Sequence, residues 1–197
     1  MKYPFFASFI LFIILLKLRM SHLEKREIKD NDSFFKRETE ANSIRRKPLD
    51  ALNYVKIPFH RLPASFDETL VELSQQKIVN FTGYTNTDLK LMYGPANIPL
   101  LSEYDAAFTE LVCYLQKWAD ELIQKNEQQD ALLVLEYAIE IGSDIYASYK
   151  ALAELYLETN QADKIRNLKE QADSLRSLNK KKILAMLSQM DMTALLG

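Results

Sequence analysis

Two pairs of carboxylates are the groups in this chain whose type and spacing could do chemistry. Glu136 and Glu140 lie four residues apart, as do Glu154 and Glu158, and this spacing places both members of a pair on one helix face. Such a pair could act as a general acid and base or hold a metal ion. It is equally common on solvated helix faces, and no histidine follows position 60 to join either pair. We therefore expect solvated surface at both.

The other residues capable of catalysis are isolated. His22 and His60 fall in or near segments of linker composition, and a nucleophile at Cys113, the single cysteine, would need a positioned base. The four glycines are separated from one another, and the sequence contains no phosphate-binding loop and no HExxH, CxxC or GxSxG motif. The sequence thus predicts a protein that is not an enzyme, with no cofactor and no metal site.

The composition predicts an all-α fold to position these groups. Four glycines and six prolines are few for 197 residues, and the second half is rich in Leu, Ala, Glu, Lys and Gln, which are helix formers. Charge is unevenly distributed: residues 1–50 carry eleven Lys/Arg against seven Asp/Glu, whereas residues 51–197 carry fourteen against twenty. The N-terminal quarter of the chain is therefore basic, and the rest is acidic.

Residues 1–20 are predicted to form a membrane anchor, a single transmembrane helix that contacts lipid through residues 3–18. The fourteen residues from Tyr3 to Leu16 carry no charge and as a helix extend about 21 Å, less than the ~30 Å hydrocarbon core, although flanking cations can snorkel. A cleaved secretory signal is one alternative, but the sequence lacks the small-x-small cleavage site that such a signal needs. An interfacial helix is the other alternative. More cations follow the segment than precede it, which places the C-terminal domain in the cytoplasm.

Two further segments are predicted from the sequence in the middle of the chain. Residues 21–50 mix both charges with Ser, Asn and Asp, the composition of a flexible linker. Residues 51–101 form an irregular segment, interrupted by four prolines, with short helices near 67–80 and 86–93 that pack on the following domain. Asp67 is the expected N-cap of the first of these. We expect helices at about 102–125, 128–141, 145–158, 162–177 and 179–190, the first opening at Ser102 and Asp105.

The pattern of large and small residues in the helical part repeats along the sequence. The period of this repeat is the distance from Asn126 to Asn160. The spacing pairs large with large and small with small residues, and it places these two asparagines at equivalent turns. Small residues let two helices approach closely, while large ones fill the space between hairpins. The positions that carry the pattern are Leu115, Trp118, Ala119, Leu122, Ala131, Leu135 and Ala138, followed by Tyr149, Leu152, Ala153, Tyr156 and Ala172.

This pattern resembles the tetratricopeptide repeat, whose units are about 34 residues long. The second unit departs from the family pattern, with Ile165 where a small residue is expected and Lys169 where a large apolar one is expected. The resemblance implies antiparallel hairpins over residues 102–190, with the helix at 179–190 as a cap. An ordinary helical bundle with a coincident pattern is the alternative. The segment 77–105, which contains NFTGYTNTDLKLMYGPANIPLLSEYD, also resembles small uncharacterised bacterial proteins that join a membrane anchor to a repeat pair.

The tetratricopeptide resemblance implies a groove lined by the first helix of each hairpin. Its expected positions are Cys113, Gln116, Asp120 and Ile123 in the first unit, and Ala147, Lys150, Glu154 and Leu157 in the second. We expect Gln116, Asp120, Lys150 and Glu154 to contact a protein or peptide. Residues 102–163 carry a formal charge of −10, so the expected partner is basic and not a nucleic acid. The predicted function is a membrane-tethered adapter, and the alternative is a structural subunit of a larger membrane complex.

Overall fold

A computed structural model describes the backbone of residues 4–196 and the side chains of residues 9–21 and 31–191. Every regular element within those residues is helical, which confirms the predicted all-α class. The described chain divides into two compact units. The first contains the residues up to Lys47 together with Asn86–Asn97, and the second contains Pro48–Thr85 and the residues from Ile98 onward.

Eight α-helices and one 3₁₀ turn occur in the described residues, with short connections between them. They are α1 (Pro4–Ser43), α2 (Glu68–Ser74), α3 (Asn86–Tyr93), the 3₁₀ turn Pro95–Asn97, α4 (Ile98–Gln124), α5 (Gln128–Glu140), α6 (Tyr146–Glu158), α7 (Lys164–Ser174) and α8 (Lys180–Leu196).

The first unit joins the end of α1 to α3 through charged and polar side chains. Glu38 accepts hydrogen bonds from Thr87 and Lys90, and Arg37 pairs with Asp88 at 2.5 Å. This differs from the flexible linker expected at residues 21–50, because α1 continues to Ser43. The charges that suggested a solvated linker serve instead as contacts to α3, which lies much later in the chain.

The front of α1 carries the most apolar run of the chain. The side chains of residues 9–16 are all exposed, and Lys17 and Arg19 follow them. Across the residues whose side chains are described, no helix is both long enough and apolar enough to cross a membrane. The predicted transmembrane helix is therefore not supported.

The second unit contains two successive helical hairpins, α4–α5 and α6–α7, whose turns lie at the spacing expected from the sequence repeat. Asn126 has φ 61° and Asn160 has φ 57°, the left-handed region that asparagine tolerates better than most residues. After the first turn the Glu127 amide donates to the Leu122 carbonyl at 2.9 Å, and after the second the Gln161 amide donates to the Tyr156 carbonyl at 2.7 Å. The two hairpins thus end their first helices with the same hydrogen bond.

Every position of the repeat pattern lies in the core. The alanines among them are fully buried, so they form the close contacts between helices. In the second hairpin, where the pattern fails, Ile165 and Leu168 are buried instead, and Lys169 pairs with Asp191 of α8 at 3.0 Å. The buried pattern residues are Leu115, Trp118, Ala119, Leu122, Ala131, Leu135, Ala138, Tyr149, Leu152, Ala153, Tyr156 and Ala172.

Two layers cover the ends of the hairpin pair. Helix α8 buries Ile183 and Leu187 and packs against α6 and α7. On the other side, residues 48–85 contribute Leu62, Leu70, Leu73 and Ile78 to the same core as α4. The expected packing segment 51–101 is therefore divided, because residues 86–97 belong to the first unit.

Two helix boundaries differ from those expected. Helix α4 begins at Ile98, not at Ser102, because Pro99 lies in the first turn, where a helix needs no amide donor. Helix α2 has the expected N-cap at Asp67, which accepts from the Thr69 amide at 2.9 Å, but it ends at Ser74. It stops early because the backbone of residues 78 and 79 bonds elsewhere, to Val55 and Tyr104.

Tyr149 is a core residue at which removing a polar group should stabilise the fold. Its hydroxyl is buried and has no hydrogen-bond partner among the described residues, and burial raises its pKa. Burying an unpaired hydroxyl costs about 1–3 kcal/mol. Tyr149→Phe should therefore raise the free energy of unfolding by about 1 kcal/mol in denaturant titrations. The matched control is Tyr156→Phe, which removes a hydroxyl that donates to Glu136 at 2.9 Å and should lower stability. A Tyr149→Phe variant less stable than the parent would contradict the packing.

Candidate functional site

The candidate site is the surface formed by α4 and α6, the first helices of the two hairpins. Helix α4 carries Gln116 and Asp120, and α6 carries Lys150 and Glu154. Asp120, Lys150 and Glu154 are exposed, whereas Gln116 is only 9 % exposed. We call the exposed residues Cys113, Asp120, Ala147, Lys150 and Glu154 the α4/α6 surface.

A short chain of hydrogen bonds joins the two helices beneath this surface. The Ser148 hydroxyl of α6 donates to Gln116 Oε1 at 2.5 Å, and Gln116 Nε2 donates to Asp120 Oδ1 at 2.8 Å. Ser148 is fully buried, so its hydroxyl depends on Gln116 for an acceptor. Gln116, which the sequence predicts as a partner contact, is thus engaged within the fold. Its side-chain amide links Ser148 of α6 to α4 and donates to the carboxylate of Asp120.

The other residues predicted to contact a partner are exposed to solvent. Lys150 and Glu154 form an i,i+4 pair on α6 with 3.5 Å between Nζ and Oε1, and each side chain is about half exposed. A pair this exposed contributes little to stability, so both groups are available to a ligand. Ile123 and Leu157 are half-buried and pack on the core. The α4/α6 surface therefore offers two carboxylates and one ammonium group.

The structure also forms a cleft between α5 and α7 that the sequence does not predict. Glu140 binds both terminal nitrogens of Arg61, at 2.7 and 3.2 Å, while Glu136 accepts from Lys164 and from Tyr156, each at 2.9 Å. These charged residues line a cavity of about 270 Å³ whose floor contains Leu152 and Leu168. Burial and the bond to Glu136 raise the pKa of Tyr156.

This cleft decides the role of one carboxylate pair noted in the sequence. Glu136 and Glu140 each have a cationic partner, so they form two separate ion pairs. Their i,i+4 spacing was the available signal, but their partner Arg61 comes from a loop far earlier in the chain. The pair Glu154 and Glu158 is exposed, and Glu158 accepts from Gln128 at 2.9 Å.

The remaining sequence candidates are not brought together. His60 is exposed, the side chain of His22 lies outside the described residues, and Cys113 is a free, exposed thiol on α4. Within the described part of the chain, no three acidic, cysteine or histidine side chains lie close enough together to hold a metal ion.

No family model, curated protein or solved structure matches the chain. Any ligand of the α4/α6 surface must therefore be inferred from its own charges and shape.

Proposed function

We propose that this chain is a membrane-tethered adapter of tetratricopeptide type, whose α4/α6 surface binds a basic peptide or protein. In this proposal the chain performs no catalysis and needs no cofactor. The helical domain supplies a rigid recognition surface, and the N-terminal helix supplies the attachment.

The observation that carries the proposal is the hydrogen bond between Ser148 and Gln116. A groove between hairpins requires that their first helices lie side by side, and this bond joins α4 to α6 in the core beneath the exposed residues. The bond to Asp120 then orients a carboxylate at the surface. A pre-oriented charge loses less conformational entropy when a ligand binds it.

Charge supports a basic ligand. Residues 102–163 carry thirteen Asp/Glu against three Lys, and such an excess raises the local concentration of cationic ligands while repelling nucleic acid. Asp120 and Glu154 are the carboxylates of the α4/α6 surface that would meet a lysine or arginine side chain. Lys150 would accept a carboxylate or a backbone carbonyl of the same ligand.

The tether is proposed from the exposed apolar side chains of α1. Residues 9–16 are apolar at every position and exposed on all sides of the helix, and a helix of this kind gains free energy by leaving water for lipid. We assign membrane contact to residues 3–18. We also propose that the helical domain lies on the cytoplasmic side, because more cations follow this segment than precede it.

The alternative is a structural subunit that packs permanently into a larger membrane complex. Two repeat units are fewer than the three usually needed for an independent array, which would favour an obligate partner. Here, however, α8 and residues 48–85 cover the two ends of the hairpin pair and add their own buried side chains. These layers favour a domain that is folded before it meets its partner.

The proposal predicts a charge-dependent selection of ligands. On an array of random peptides, the parent protein should retain mainly basic sequences. Asp120→Lys combined with Glu154→Lys should lose most of that preference, because the surface then repels cations. The control is Glu103→Lys with Glu170→Lys, which makes the same change in net charge at two other exposed residues and should leave the selection unchanged. Retention of acidic or purely apolar peptides would contradict the proposal.

A further inference from the structure

The connection between α7 and α8 holds a leucine entirely in water. Leu178 is 101 % exposed, as open as in an isolated peptide, while its neighbours are fixed. The Asn179 side chain donates to the Asp144 carbonyl at 3.2 Å, and the Asn179 backbone amide donates to Ser177 Oγ at 3.0 Å. The exposed leucine is therefore presented by an ordered loop.

The start of this loop is held by a close approach of two backbones. Gly83 has φ 83°, and a β-carbon there would lie 2.8 Å from the carbonyl oxygen of Arg176. Glycine allows this contact because it has no side chain. The guanidinium of Arg176 then lies over the ring of Tyr84, 4.8 Å from its centroid. The loop thus has one anchor at segment 83–84 and another at Asp144.

Cations without carboxylate partners surround Leu178. Residues 164–182 carry seven Lys/Arg against two Asp/Glu, and four of the seven form ion pairs. Arg176, Lys181 and Lys182 have no carboxylate within ion-pair distance among the described residues. Lys182 Nζ lies over the ring of Tyr146, 4.4 Å from its centroid, a contact that leaves its hydrogen-bond donors without a carboxylate partner in the described part of the chain. We call residues 176–182 the cationic loop.

We infer that the cationic loop docks on an anionic phospholipid surface, with Leu178 entering the interface and Arg176, Lys181 and Lys182 contacting headgroups. An aliphatic side chain between cations is complementary to the boundary between acyl chains and anionic headgroups. A nucleic acid would satisfy the cations but would offer no apolar phase to Leu178. This second contact would fix the orientation of the helical domain at the membrane, and it is independent of the ligand proposed for the α4/α6 surface.

The test measures burial at position 178 in the full chain. Leu178→Cys is made in a Cys113→Ser background, because Cys113 is the only other thiol, and is labelled with an environment-sensitive fluorophore. On phosphatidylcholine vesicles that contain phosphatidylserine, the label should shift to the blue and be protected from an aqueous quencher. Both effects should disappear on phosphatidylcholine alone and at high ionic strength. A label at Leu133→Cys, on the exposed side of α5, should remain in water throughout.

Charge removal provides the second measurement. Lys181→Gln with Lys182→Gln should lower the ratio of docked to undocked loop about 25-fold, about fivefold for each cation, whereas Lys117→Gln with Lys125→Gln should not. A label at 178 that stays exposed on anionic vesicles overturns the inference, even if the chain still sediments with them through α1. Equal protection on neutral vesicles also overturns it. The inference would also be overturned if, without vesicles, the label became more protected from the quencher as the protein concentration rises. That result would assign the loop to contacts between copies of the chain.

Discussion

Replacing Ala153 with leucine should lower the free energy of unfolding by about 1–3 kcal/mol, and the same change at Ala119 should do likewise. Both alanines are fully buried and occupy equivalent positions of the repeat, in the first helices of the two hairpins. Leucine adds three carbon atoms where helices are in close contact, so side chains or backbone must move to admit it. The quantity to measure is the denaturant midpoint of the detergent-solubilised chain.

Helix α6 provides the matched control for this overpacking. Ala147 lies between one and two turns before Ala153 on the same helix but is exposed, and alanine and leucine have similar helix propensities. Ala147→Leu should therefore unfold at nearly the parent midpoint. If the two buried variants also unfold there, the repeat alignment of the hairpins is wrong.

Gln116→Leu should lower the free energy of unfolding by about 1–3 kcal/mol, because the buried Ser148 hydroxyl loses its acceptor. Ser148→Ala in the same chain should restore most of that loss, since removing both partners of a buried hydrogen bond leaves no unpaired group. The measurement is a double-mutant cycle in denaturant, and the expected coupling between the two sites is about 1 kcal/mol or more.

The cycle also separates two roles for Gln116. A residue that acts by contacting the partner would weaken peptide retention when changed, without any loss of stability and without rescue by Ser148→Ala. Asp120→Asn serves as the control, because it keeps an acceptor for the Gln116 amide while removing the charge. It should leave the midpoint nearly unchanged and reduce the retention of basic peptides.

The hairpins could be predicted closely because their signals are local. Asn126 and Asn160 mark the turns by their tolerance of positive φ, and alternating small and large residues mark the helix contacts. Helix α3 at 86–93 was predicted at its observed bounds. These features depend on residues within one or two helical turns of each other, where sequence spacing translates directly into geometry.

The features that could not be predicted depend on residues far apart in the chain. The extension of α1 to Ser43 accompanies contacts of Arg37 and Glu38 with α3, and charged composition alone suggested a linker. The ion pair of Arg61 with Glu140 joins a loop to α5. Gln116 was expected to contact a partner, and spacing cannot reveal that its side-chain amide is already engaged by Ser148. A polar residue at a groove position can serve the fold or the ligand, and only its hydrogen bonds decide which.

The most direct measurement of the central claim is the rate at which a basic peptide, selected on the array by the parent protein, associates with the full chain at several ionic strengths. If Asp120 and Glu154 attract the ligand, Asp120→Lys with Glu154→Lys should slow association strongly at low salt. The difference in association rate from the parent should shrink as the salt concentration rises and the screening length falls toward ~8 Å at physiological ionic strength. The Glu103→Lys and Glu170→Lys control should associate at nearly the parent rate. Association that is insensitive to both salt and the reversal at Asp120 and Glu154 would contradict an adapter that binds through the α4/α6 surface.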